Sequence, residues 1–187
     1  RVLLGPMADI FSDPRWSRGY GTFGEDPDVV RRFTVAFIEG LRGGTQLGPE
    51  SVAAMVMHFP GAGPQKDGRD AHDPRFPEQV YPGGAQALHL APFEAAIAAG
   101  VTQMMTYYGK PIGTDWEEVG FAFNRPVVHD LLRVKLGFTG IICTDWNVID
   151  GAPREGFTFG PNAWGLEHLT PQQRMARALG VGVDQFG

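Results

Sequence analysis

The strongest constraint in this sequence is a repeated alternation of short apolar runs with amphipathic helical patterns. Five runs read as strands: residues 2–10, 52–59, 101–107, 140–144 and 182–186. None alternates polar with apolar, as expected of strands covered on both faces. The helical patterns between them are well punctuated. Asp26-Pro27-Asp28 predicts a helix start, because Asp can cap and Pro suits the first turn. Val29, Val30, Phe33, Phe37 and Leu41 follow at helical spacing, and Gly43-Gly44 stops the pattern. Leu88, Ala91, Ala95 and Ala98 mark a second helix ending near Gly100, with Leu88, Phe93 and Ile97 expected in the core. Residues 124–136 form a third, with Pro126 early and Val128, Leu131 and Leu132 on its apolar face. Thr170-Pro171-Gln172-Gln173 has capping-box spacing and opens a fourth, closed by Gly180.

Strand and helix recurring in this way imply an α/β fold with parallel strands and crossover helices. A complete (β/α)8 barrel needs about 250 residues. Five strands in 187 residues, the first starting at Val2, predict an incomplete (β/α)8 TIM-type barrel. It would be one partial domain over residues 1–187 with about five of eight units, the N-terminal units lying outside. An open α/β sheet is the alternative. The nucleotide cradles usual in open sheets, Gly-x-Gly-x-x-Gly and Gly-x-x-x-x-Gly-Lys-Ser/Thr, do not occur.

Composition narrows the function. Hydrophobic residues at 43% and charged residues at 20% are a globular balance. The 26 glycines point to many turns and long loops. A net charge of −5 without a basic stripe argues against a nucleic-acid partner. The apolar runs are too short to span a bilayer, so no membrane role is expected. The single cysteine, Cys143, excludes an internal disulfide and a Cys-rich zinc site, and in its apolar run it reads as a small buried hydrophobe. The chain starts at Arg1, so the absence of a leader excludes no compartment, and localisation stays open.

Polar residues gather where the strands end. The first run leads to Asp13-Pro14-Arg15-Trp16 and Arg18, the second to His58-Phe59-Pro60-Gly61 and Asp67 to His72. The third leads to Tyr107-Tyr108 and the fourth to Asp145-Trp146. In a βα barrel these ends face the active site. The set suits a sugar: aromatic faces stack on C–H surfaces, Arg, His and carboxylates bind hydroxyls, and a carboxylate can attack an anomeric carbon. Trp16 reads as structural, packed on Arg15 or its loop, and Glu25 and Asp26 as loop and cap residues.

The order and spacing of four motifs resemble glycoside hydrolase family 3, in its β-glucosidase and β-xylosidase branch. They are Asp13-Pro14-Arg15-Trp16-x-Arg18, Thr22-Phe23-Gly24-Glu25-Asp26-Pro27, His58-Phe59-Pro60-Gly61, and Gly137-Phe138-x-Gly140-Ile141-Ile142-Cys143-Thr144-Asp145-Trp146. The resemblance covers essentially the whole chain. It implies a retaining exo-glycosidase acting on β-linked glucosides or xylosides through a glycosyl-aspartate, with a carbohydrate substrate and neither cofactor nor metal. Asp145 would be the nucleophile and Trp146 a sugar platform. Arg18 and His58 would bind hydroxyls, and Tyr108 would align with the family's active-site tyrosine, with Tyr107 the near alternative.

Three departures qualify the resemblance. The family's Lys-His-Phe-Pro-Gly reads Met57-His58-Phe59-Pro60-Gly61 here, so Met57 replaces a sugar-holding lysine. The early barrel strands, with a substrate-binding Asp in relatives, are missing. So is the α/β sandwich domain that often supplies the acid/base carboxylate. Both are expected in a longer parent chain. Asp70-Ala71-His72 resembles an Asp-Ser-His acid/base element of the N-acetylglucosaminidase branch, and acid/base, substrate-loop and exposed-loop roles all stay open for it. Two rival classes remain. One is a non-catalytic sugar-binding remnant. The other is a metal-dependent hydrolase built on His58, Asp67, Asp70, His72 or His89, which no His-x-x-x-His pair supports.

Overall fold

The computed structural model describes residues 1–154 and 157–187, and no side chain within 152–159. Its centre is a parallel sheet of β1 (Val2–Met7), β2 (Ala53–Phe59), β4 (Gln103–Thr106) and β6 (Ile141–Cys143), hydrogen-bonded in that order. Leu3 pairs with Ala54, Met55 with Gln103 and Met104 with Ile142. Helices α1 (Pro27–Arg42), α2 (Gln86–Ala98) and α3 (Pro171–Val181) lie between or after these strands. Two short pairs decorate the loops: β3 (Glu78–Gln79) with β5 (Lys110–Pro111), parallel, and β7 (Ala152–Arg154) with β8 (Phe157–Phe159), antiparallel. The arrangement is the TIM-barrel-like α/β fold that the strand–helix alternation predicts.

The caps behave as the sequence indicates. The Asp26 carboxylate accepts from the Asp28 and Val29 amides at 2.8 and 3.0 Å, with Pro27 next, and Gly43 closes α1 in the left-handed region at φ 71°. Thr170 and Gln173 form the reciprocal capping box of α3. Gly180 does not end this helix. The turn continues to Val181, and Gly182, at φ 108°, is the left-handed cap. The segment Pro126–Lys135 is helical but wound wider than an α-helix, with the Leu136 amide reaching back to the Leu131 carbonyl at 2.9 Å.

Other expectations are corrected by packing. The fifth run, 182–186, forms no strand and joins the sheet only through a parallel bridge from Cys143 to Gln185. The buried stripe of α1 is Val30, Thr34 and Ile38, while Phe33 and Phe37 are part-exposed and pack on Phe23 at ring separations of 5.4 and 6.3 Å. Helix α2 turns Leu90, Phe93 and Ala96 inward and leaves Leu88 41% exposed. It is apolar almost all round, so its periodicity singles out no face. The first strand is not covered on both faces either: Val2, Leu3 and Leu4 are exposed.

Along β2, β4 and β6, Ala54, Val56, Met104 and Ile142 point into the main core with the helices. Met55, Met57, Met105 and Cys143 point the other way and form a second, sulfur-rich cluster with Met7 against it. Burial pushes the Cys143 thiol up to about 11, with the Asp145 charge adding to it, so it stays a protonated core group.

The loops at the C-terminal strand ends press closely together. A Cβ at Gly63 would lie 1.8 Å from the Ile10 carbonyl oxygen. Gly63→Ala should therefore destabilise the protein by about 1–3 kcal/mol, the usual cost of overpacking, measured as the shift in a urea unfolding midpoint. An unchanged midpoint would show that the two loops separate at little cost.

Candidate active site

The site is built on a carboxylate inside the first apolar run. Asp9 follows β1 and is fully buried. Its Oδ1 accepts the His58 amide at 3.2 Å and the Ala62 amide at 2.7 Å, and its Oδ2 meets His58 Nδ1 at 2.8 Å. Two donors of His58, near the end of β2, and one on the loop beyond it thus converge on one residue after β1. A carboxylate at Nδ1 anchors the ring by that edge, so its Nε2 faces outward. Arg18 Nη2 approaches that nitrogen at 3.4 Å. Glycine allows the backbone to fold back at Gly61, φ 117°, and Gln79 Nε2 donates to the Gly61 carbonyl at 2.8 Å.

Asp145 stands two residues after the end of β6, next to Thr144, and is only 8% exposed. The Tyr108 hydroxyl donates to its Oδ1 at 2.9 Å, and its own neighbour's amide, Trp146 N–H, does so at 3.2 Å. Its Oδ2 lies 3.8 Å from His58 Nε2 and has no hydrogen-bond partner. Burial pushes the Asp145 carboxyl above its ordinary 3.8, against the opposing pull of His58, Tyr108, His72 and Arg18. Burial, with Asp145 next, likewise holds the Tyr108 phenol well above its usual range.

A second dyad borders this one. His72 Nδ1 hydrogen-bonds Asp70 Oδ1, and Asp70 Oδ2 accepts from the Trp16 indole at 2.7 Å. Burial opposes ionisation of Asp70, yet its bonds to His72 and Trp16 outweigh that and keep its carboxyl far below the usual range. The His72 ring stands edge-on to Tyr108 at 4.5 Å between centroids. Ala71, fully buried, accepts the Trp164 indole N–H through its carbonyl at 3.0 Å. Two indoles therefore hold this segment at Asp70 and at Ala71, while the His72 side chain remains partly open, at 42%. The exposed-loop reading of this segment is corrected: it is tied into the fold.

The structure thus brings together Arg18, His58, Tyr108, Asp145, Asp70 and His72. Trp146 adjoins Asp145 with its ring 41% exposed. Met57 is packed in the sulfur-rich cluster, 8% exposed. Trp16 is structural, but its partner is Asp70 rather than Arg15, which pairs with Asp13. His89, read as one of several metal-ligand candidates, is buried in α2, and burial lowers its imidazole to about 4. Among the described residues no group of three His, Cys, Asp or Glu side chains is placed to hold a metal ion.

One site residue escaped sequence reasoning. Asp9 was hidden in its run, although a lone carboxylate between Ala8 and Ile10 signals a buried, fully paired acid. Tyr107, the near alternative to Tyr108, is buried edge-on to His58 at 5.3 Å, its hydroxyl without a partner among the described residues.

Two variants probe this geometry. Asp9→Ala leaves two amides and a ring N–H unpaired in the interior, and should cost about 3 kcal/mol or more in urea unfolding, since each buried orphan costs about 1–3 kcal/mol. The raised Asp145 carboxyl means that folding favours its protonated form. Its contribution is present at low pH and lost as pH rises through the elevated value. Asp145→Asn should accordingly raise the melting temperature at pH 7, and a lowered one would contradict the assigned burial cost.

Residues 1–185 match the family model described as "Glycosyl hydrolase family 3 N terminal domain". The chain is 46% identical over 187 residues to beta-glucosidase C of Emericella nidulans, covering all of this chain and 30% of that protein. It is 36% identical over 203 aligned positions to a periplasmic beta-glucosidase/beta-xylosidase of Dickeya chrysanthemi, covering 98% of this chain and 30% of the relative. The solved structure of a β-glucosidase from Erythrobacter marinus superposes on all of this chain with a TM-score of 0.79 at 29% identity, using 23% of its own length. The chain therefore spans about 30% of the length of these curated relatives.

Proposed function

The chain belongs to glycosyl hydrolase family 3, and from that premise we propose that it carries the nucleophile and sugar-binding half of a retaining β-glycosidase site. β-Glucosides and β-xylosides are the substrate classes. The observation that carries this reading is Asp145: buried at a strand end, one oxygen oriented by Tyr108, the other unpartnered beside His58. A carboxylate held out of water with a free oxygen is poised to attack carbon.

In the proposed reaction Asp145 Oδ2 bonds to the anomeric carbon from the face opposite the leaving oxygen. The C–O bond breaks, its electron pair leaves with the aglycone oxygen, and an acid protonates that oxygen. A water molecule then displaces Asp145 from the anomeric carbon, losing its proton to the same group now acting as base. Arg18, with Nη1 buried and unpartnered, and His58 are proposed to bind sugar hydroxyls. Trp146 is the proposed platform. The acid/base is proposed to lie in a second domain of a longer parent chain. A second reading places it on His72, favoured by its bond to Asp70 and its contact with Tyr108, whose hydroxyl holds Asp145. A sugar-binding remnant without catalysis would keep the contacts and lose the covalent step.

Incubating the whole protein encoded by the natural reading frame with a 2-fluoro-β-glucoside should add one fluoroglucosyl group to the peptide containing Asp145, seen by mass spectrometry. Binding without labelling would favour the remnant. Tyr108→Phe removes a hydrogen bond that lowers the Asp145 carboxyl. The acid limb of kcat/KM on an aryl β-glucoside should then move to higher pH, since the reactive form is ionised. An unmoved limb would detach that limb from Asp145.

A further inference from the structure

A cavity of about 1110 Å³ opens beside the dyads, with Arg18, Asp70 and His72 in its wall. Its outer wall carries Arg15, Arg69 and Arg75, together with the aromatic rings of Tyr20 and Phe76. In a chain of net charge −5, four arginines against two aspartates in one wall is a local inversion of sign. The pairs within it are unequal. Arg15 is closed by Asp13, and Arg75 is closed by Asp73. Asp70 is committed to His72 and Trp16. Arg69 is in no ion pair among the described residues: its guanidinium lies 4.3 Å over the Phe76 ring, and its charge reaches Asp73 only at a distance. Arg75 lies 5.2 Å from the same ring, so Phe76 contacts two cations. Tyr20, 92% exposed, offers a further aromatic face on this wall.

We infer that this wall is an aglycone subsite selective for leaving groups that bear a carboxylate. The inference rests on the proposed glycosidase reading of Asp145 and extends it from the sugar to the group beyond the scissile bond. Arg69 is the specificity residue. A planar guanidinium already held flat against Phe76 loses little freedom when it meets a carboxylate, and its fork matches that group in two hydrogen bonds. The aromatic faces of Tyr20 and Phe76 cover the apolar part of the aglycone. A neutral aglycone leaves Arg69 solvated and gains only the stacking. The shared chemistry is a carboxylate, whether carried on an aromatic ring or on a uronic acid.

The test measures binding separately from turnover. Using the whole protein encoded by the natural reading frame, calorimetry compares phenyl 1-thio-β-glucoside with its 4-carboxyphenyl analogue, neither of which is readily hydrolysed. A parallel pair, cellobiose and β-glucosyl-(1→4)-glucuronic acid, whose carboxylate lies on the leaving sugar, examines a sugar carboxylate with Asp145→Asn. Tighter binding of the acidic partner, by about threefold to fivefold as for an exposed ion pair, supports the inference. That ratio should fall towards one in Arg69→Gln, recover partly in Arg69→Lys, and shrink with added salt. A preference in the aryl pair alone identifies an aromatic acid, and one in the sugar pair a uronic acid. Equal affinities in both pairs would overturn the inference, while fluoroglucoside labelling of Asp145 would leave the site reading standing. Binding of none of the four, without labelling, would overturn both.

Discussion

The buried carboxylate of Asp9 is the interaction on which the rest of the site depends. It is fully enclosed, and it takes the amide and one imidazole nitrogen of His58, near the end of the neighbouring strand, and the Ala62 amide from the loop beyond it. An interior charge is tolerated only when its oxygens are saturated with donors. The same bonds that make Asp9 tolerable therefore fix where His58 stands and which nitrogen it turns outward. From that nitrogen the arrangement spreads to Arg18 on one side and Asp145 on the other. Asp9 acts through His58, and so is a positioning residue.

A second tier of positioning comes from two tryptophans. Trp16 belongs to the loop after the first strand and Trp164 to the region after the fourth, yet both indoles donate to the segment between Asp70 and Ala71. Indole N–H groups in an apolar setting need acceptors, and here they find them across 54 and 93 residues of sequence. The result is a loop whose backbone is held as firmly as an interior element while His72 stays partly open. Arg174, itself buried, completes the frame by donating to the Ile149, Leu166 and Glu167 carbonyls. Loops rich in glycine are thus made into a fixed wall by side chains that bond to backbone.

Charge and burial work against each other in the central pocket. Asp145 is desolvated, which raises its carboxyl, and is surrounded by His58, Tyr108, His72 and Arg18, which pull it back. A group placed for stability alone would be fully paired, as Asp9 is. Asp145 Oδ2, Arg18 Nη1 and the Tyr107 hydroxyl, by contrast, are buried without a partner among the described residues. The outer cavity follows a different logic, with aspartates two residues away neutralising Arg15 and Arg75 and leaving Arg69 to a phenyl ring.

The sequence by itself determined the α/β class, the parallel strands at four of five runs, the caps at Asp26, Gly43 and Thr170, and the placing of His58, Tyr108 and Asp145 at strand ends, with Arg18 on the loop beyond the first. These are local matters: run length, helical period and capping chemistry depend on neighbours a few residues apart. Only the tertiary structure decided the rest. Residues 182–186 have strand composition, yet the strand forms no further than one bridge to Cys143. Leu88 and Leu90 are equally apolar, and packing of α2 chose the second. Asp9 sat unremarked in an apolar run because its partners lie 49 and 53 residues away. Trp16 was legible as structural, but its acceptor on Asp70 was not. Periodicity reports which face a residue shares with its neighbours in sequence. Which distant donor saturates a buried carboxylate is fixed only when the strands take their register and the loops beyond them meet.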